Sequence, residues 1–122
     1  MVDALGLPTE FEITEGQRHD SQLASTLIER SKPRCLLGDK AYDSDAIRAQ
    51  LRDVQCDAVI PPKSNRKNTL IWDQELYKAR SEIECTFSLL KQARRFATRY
   101  EKTARNYAAV VSIGCAVLWL RI

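Results

Sequence analysis

The sequence predicts an α/β domain, on three observations. Short apolar runs bounded by glycine or proline alternate with segments of helical period, the signature of a layered sheet-and-helix structure. A long amphipathic segment opens at a capping aspartate, Asp73. The 122 residues are 44% hydrophobic and 29% charged, which fits one globular domain, residues 1–122, with a modest core.

The elements follow in order. Residues 10–14 alternate around Phe11 and Ile13, read as a short strand, and end at Gly16. Asp20 is placed to cap a helix over 21–30, with Leu23, Leu27 and Ile28 inward and Pro33 as its stop. Cys35-Leu36-Leu37 reads as a buried strand that stops at Gly38-Asp39. Asp43-Ser44 caps a helix over 45–53 that buries Ile47 and Leu51. Ala58-Val59-Ile60 is a third strand, ended by Pro61-Pro62. A polar, basic loop over 63–72 leads to a helix from Asp73 to about 95, with Leu76, Ala79, Ile83, Phe87 and Leu90 as its core stripe. The last helix, 103–120, is apolar nearly all round and is expected in the core. Three strands make a thin sheet for so many helices, as if part of it were missing.

Cysteines 35, 56, 85 and 115 form no C-x-x-C pair, so the spacing suits neither a zinc site nor a disulfide framework. Cys85 and Cys115 fall in apolar stretches and read as buried free thiols, which agrees with a reducing, cytoplasmic setting. No secretory leader pattern is visible over residues 1–9. The apolar run 107–120 is shorter than the roughly 20 residues of a membrane span, contains Ser112 and Gly114, and is read as a buried helix and not a membrane helix.

Charge is unevenly distributed. Residues 1–62 hold 7 Lys and Arg against 11 Asp and Glu, while 63–105 hold 11 against 5. A basic stretch beside an acidic one suits a metal-dependent nucleic-acid protein, the acids collecting cations and the bases phosphates. Two solvated faces of opposite sign explain the same pattern, and on charge alone explain it better.

On one continuous helix, Tyr77, Arg80, Glu84 and Lys91 fall within an arc of about 60°, because each residue advances roughly 100°. A carboxylate flanked by two cations and a phenol suits a site that handles both metal and phosphate. Taken alone, Arg80 and Glu84 form an ordinary i,i+4 surface pair. Asp39 stands at a strand end, where a rigid scaffold presents side chains, although a local turn role outweighs a functional one on position alone. Asp43, Asp45 and Asp53 read as caps and solvated helix charges. His19 reads as a residue of a helix start and not as a ligand.

Three blocks shift that balance: GDKAYDS at 38–44, IPPKSNRK at 60–67 and YKARSEIECTFSLLKQARRFATRYEKTARNY at 77–107. Together with GQRHDS at 16–21, and in this order, they resemble the DDE transposases of bacterial insertion sequences, in the group with a Tyr-x2-Arg-x3-Glu-x6-Lys signature. The resemblance implies a ribonuclease-H-like fold in which three acids hold two divalent ions, normally Mg2+, for in-line phosphoryl transfer. Hard cations take oxygen ligands, so carboxylates suit them. It places the second acid at Asp39 and the third at Glu84, as catalytic and metal-binding residues. It assigns Tyr77, Arg80 and Lys91 to the DNA backbone near the cleaved end. Arg94, Arg95 and Arg99, the Lys63, Arg66 and Lys67 cluster, and Lys102 and Arg105 are further candidate phosphate contacts.

The first acid of that pattern has no counterpart here. Asp3 precedes the turn-like ALGLP and lacks the motif. The chain is therefore expected to be the carboxy-terminal part of a transposase, its fold incomplete at the N-terminus. It would bind transposon-end and target DNA and be inactive in strand cleavage alone. It would be completed by self-association or by pairing with a complementary N-terminal part. A catalytically inactive DNA-binding or regulatory fragment is the alternative.

Overall fold

Two three-residue strands carry the sheet: β1 (Cys35–Leu37) and β2 (Asp57–Val59), parallel, with Cys35 opposite Asp57, Leu36 opposite Ala58 and Leu37 opposite Val59. The computed structural model describes residues 1–16, 19–68, 70–92 and 102–121. The chain divides into two compact units, one of His19–Arg80 and one of Met1–Arg18 with Ser81–Ile122. Helices and a small sheet together make this a mixed α and β structure.

In the unit His19–Arg80, a 3-10 turn (Asp20–Gln22) leads into α1 (Ala24–Ser31). Beyond β1 lie a second 3-10 turn (Lys40–Tyr42) and α2 (Asp45–Asp53), the crossover that two parallel strands require. Beyond β2 the chain reaches α3 (Gln74–Tyr77) and a last 3-10 turn (Lys78–Arg80). The core is Ala24 and Ile28 from α1, Ile47 and Leu51 from α2, and Cys56 and Ile60 beside β2. Ile28, Leu51 and Ile60 are its fully buried side chains.

Local signals account for these boundaries. Ser44 Oγ accepts from the Ile47 amide at 3.2 Å and starts α2. At its other end, Cys56 N–H donates to Leu51 O at 2.8 Å and Gln55 N–H to Arg52 O at 3.0 Å, the paired bonds of a Schellman motif. Gln55 takes the left-handed position of that motif at φ 55, where glycine is usual. Asp73 caps α3 by accepting from the Leu76 amide at 2.9 Å.

In the other unit, residues 1–8 fold back on themselves. Asp3 Oδ1 accepts from the Leu5 and Leu7 amides at 2.9 Å, and Gly6 supplies the left-handed turn residue at φ 75. A Cβ at Gly6 would also approach Glu82 Oε2 to 3.2 Å. Thr86 of α4 (Ser81–Lys91) donates to Gly6 O, and Trp119 of α5 (Ala104–Trp119) donates to Pro8 O at 2.8 Å.

Several expectations are corrected. Residues 10–14 form no strand, and pairing goes instead to an isolated antiparallel bridge between Val2 and Pro8. Asp20 is no cap: backbone bonds of the 3-10 turn already take the Gln22 and Leu23 amides. The third strand ends at Val59 and not Ile60. The helix from Asp73 is broken by the Lys78–Arg80 turn, whose tighter winding advances each residue by about 120°. The proposed core stripe is not buried, since Leu76 is 43% and Phe87 55% exposed and Thr86 is the buried side chain of α4. The last helix has no buried residue, Cys85 is exposed, and Cys115 is half-buried. Apolar composition says that a face prefers cover; it does not say that the same unit provides it.

Candidate functional site

Asp39 follows β1 after the buried Gly38, whose amide donates to Val59 O at 3.2 Å and ties the strand end to β2. This is the carboxyl end of a parallel strand, where open α/β sheets place their ligands. Half-buried Asp39 spends one oxygen on the Ala41 amide, at 2.8 Å, and so caps the following 3-10 turn. Its remaining lone pairs suit a hard cation.

Glu84 sits on α4 in the other unit, as an exposed side chain. Tyr77 and Arg80 close the unit that holds Asp39, whereas Glu84 and Lys91 belong to the other. The single-helix arc that joined these four therefore loses its premise at the 3-10 turn. Within its own unit, Tyr77 packs edge-on to Trp72 at 5.1 Å, and the Arg80 guanidinium lies 5.7 Å from the Tyr77 ring centre. Tyr77 thus steadies Arg80 through a cation–π contact. Lys91, Lys102 and Arg105 are exposed. Arg94, Arg95 and Arg99 lie outside the described residues. Asp39 and Glu84 lie in different units, and the carboxylate oxygens of each are donors of the kind a hard divalent ion takes. Among the described residues no group of three or more His, Cys, Asp or Glu side chains converges.

The most developed polar cluster was not anticipated. Asp43 is buried, with its side chain 1% exposed, yet it is charged. Arg48 Nε donates to Asp43 Oδ1 at 2.6 Å, and Arg66 grips both oxygens, at 2.7 Å to Oδ1 and 3.0 Å to Oδ2. The Lys63 amide adds a bond to Oδ2 at 2.7 Å. Burial by itself would raise the Asp43 pKa, but the bonds from Arg66, the Lys63 amide and Arg48 prevail and hold it well below the ordinary carboxylate range. Asp43 and Asp45 in turn raise the Arg66 pKa further. Arg66 reaches the exposed Asp45 at 2.8 Å, and Arg48 also donates to Ile60 O at 2.9 Å.

This network borders an open cleft of about 370 Å3 lined by Asp43, Ser44, Asp45 and the loop residues Lys63, Asn65, Arg66, Lys67 and Asn68. Lys63 and Lys67 present exposed side chains there, while the Arg66 nitrogens face carboxylates. One sequence signal could have exposed the network: Ser44 is the cap of α2, so Asp43 beside it needs another role.

One acid at a strand end and a basic loop braced against the start of α2 are the polar features of a small protein of mixed α and β structure. Residues 1–120 match the family described as Transposase DDE domain, and the chain belongs to that family. A Brucella ovis protein named as a transposase for insertion sequence element IS6501 is 38% identical, over 99% of this chain and 95% of its own length. A Burkholderia cepacia protein named for the transposase of IS402 is 30% identical over 97% of this chain, which spans 59% of that relative. No solved structure matches the chain. The family assignment carries a role in DNA transposition and, as a family property, work with divalent metal ions. No helix among the described residues is long and apolar enough to cross a membrane.

Proposed function

We propose that this chain takes part in insertion-sequence transposition by binding transposon-end DNA, and that Asp39 and Glu84 supply two of three carboxylate ligands at the scissile phosphate of a ribonuclease-H-like site. The observation that carries this reading is Asp39 at the carboxyl end of β1, in a chain that matches the DDE domain over residues 1–120. Bound Mg2+ would activate the attacking oxygen and stabilise the leaving one. Asp39 and Glu84 would hold the ions. Arg80, braced on Tyr77, together with Lys91 and the basic loop, would hold the phosphodiester backbone in register. Arg94, Arg95 and Arg99 extend the basic stretch along the sequence. The third carboxylate is assigned to no residue of this chain. By itself the chain is expected to bind DNA without cutting it, and to gain activity by pairing with a polypeptide that brings the missing acid. Free cysteines agree with a cytoplasmic setting.

The test is a Mg2+-dependent nicking and strand-transfer assay on transposon-end DNA, with and without a complementing N-terminal transposase segment. Loss of cutting in Asp39→Asn and Glu84→Gln, with binding retained, supports the assignment. Full activity in either variant overturns it. Binding without cutting under every condition favours a regulatory DNA-binding role.

A further inference from the structure

The cleft beside α2 separates two kinds of basic residue that sequence alone treats alike. Arg66 makes three charged hydrogen bonds, two to buried Asp43 and one to Asp45. Its guanidinium is thereby turned to the protein, and its side chain is 19% exposed. Lys63 and Lys67, on either side of it, have exposed side chains with no ion pair among the described residues. The Lys63 backbone is fixed all the same, because its amide donates to Asp43 Oδ2 at 2.7 Å. Arg66 N–H also donates to Lys63 O at 3.0 Å, closing the loop on itself. Asn65 and Asn68 add neutral donors along the cleft wall.

We infer that Asp43 and Arg66 are positioning residues that pin the 63–68 loop to the start of α2, so that Lys63 and Lys67, and not Arg66, grip the DNA phosphate backbone at this cleft. The inference rests on the proposed DNA-binding reading and sharpens it. The charges of Arg48 and Arg66 are largely taken up by Asp43 and Asp45, two against two, so the local excess of positive charge belongs to the lysines. A lysine on an anchored loop loses less freedom when it meets a phosphate, and that raises affinity. Lysine contacts to phosphate position DNA without reading its sequence.

The experiment uses the full chain, double-stranded transposon-end DNA and a salt titration. Lys63→Ala/Lys67→Ala should lower the slope of log affinity against log salt by about 1 to 2, with little change in thermal stability. Arg66→Lys keeps the charge and removes the fork. It should weaken binding by about three- to tenfold, the cost of immobilising one or two side chains afresh. In the Lys63→Ala/Lys67→Ala background, Arg66→Lys should cost nothing further. An additive loss there, or wild-type affinity in Arg66→Lys alone, overturns the inference and makes Arg66 an ordinary contact or a bystander. Hydrogen exchange of the Lys63 amide supplies a readout without DNA. It should speed up in Arg66→Lys and in Asp43→Asn, and unchanged protection overturns the pinning. Faster exchange in these two variants, in a protein whose wild type binds no DNA, would leave the pin standing while overturning both the phosphate role of the lysines and the proposed function.

Discussion

Asp43 and Arg66 meet across 23 residues of chain through two hydrogen bonds, and this pair joins the start of α2 to the loop beyond β2. An aspartate buried at 3% exposure persists as an anion only because its four bonds replace the water that it lost.

Substituting Asp43 by Asn should therefore destabilise the chain by about 3 kcal/mol, since arginines brought in to meet a buried charge would lose it. Urea unfolding of the variant against the wild type measures the difference.

The same carboxylate sets an acid dependence. Its pKa in the folded chain lies below that in the unfolded chain, so its stabilisation is complete above the ordinary carboxylate value of about 3.9 and fades as pH falls through the folded value. The stability gap between wild type and Asp43→Asn should be constant from pH 7 to about 5 and should narrow below about 4. Unfolding curves in a pH series test the sign.

At Asp39 the observed cap and the proposed metal-binding role can be separated. Asn keeps an oxygen for the Ala41 amide, so Asp39→Asn should leave the melting temperature within about 1 °C of wild type. With the negative charge gone, affinity for Mg2+ should fall by about tenfold or more in calorimetric titration.

Thiol chemistry reports the core independently. Cys56 is buried, and burial first, with the Cys35 and Asp57 neighbours, pushes its pKa up to about 11. At pH 8 iodoacetamide should label exposed Cys85 well before Cys56, as followed by mass spectrometry. Equal rates would mean that the core opens.

Gln55 pays for a left-handed backbone at the end of α2. Gln55→Gly should stabilise the chain by about 0.5–1 kcal/mol, because the Schellman bonds stay and the Cβ strain goes. A shifted denaturation midpoint with an unchanged slope would verify it.

What could be read in advance was local. The Ser44 cap, the Asp73 cap, the strand at Cys35–Leu37 and the buried pair Ile47 and Leu51 each depend on neighbours within a turn or two, and each appears as expected, except that Cys35–Leu37 is half-buried and not the buried strand that its apolar run suggested. Asp39 at its strand end was legible for the same reason. Tertiary choices were not. Phe11 and Ile13 alternate correctly, but a strand needs a partner, and Val2 pairs with Pro8 instead. The apolar α5 gave no hint of which surfaces would remain uncovered. The Asp43 cluster stayed hidden because no periodicity links residue 43 to residues 48, 63 and 66.

The asymmetry of that cluster has an evolutionary consequence. Arg66 can be lost while Asp43 keeps Arg48 and the Lys63 amide, but loss of Asp43 takes the buried carboxylate from both arginines and leaves Arg66 with the exposed Asp45 and Arg48 with Ile60 O. Mutational drift in copies of this element should thus proceed in a fixed order, with position 66 varying before position 43. A basic residue at 66 should rarely outlive the acid that it serves.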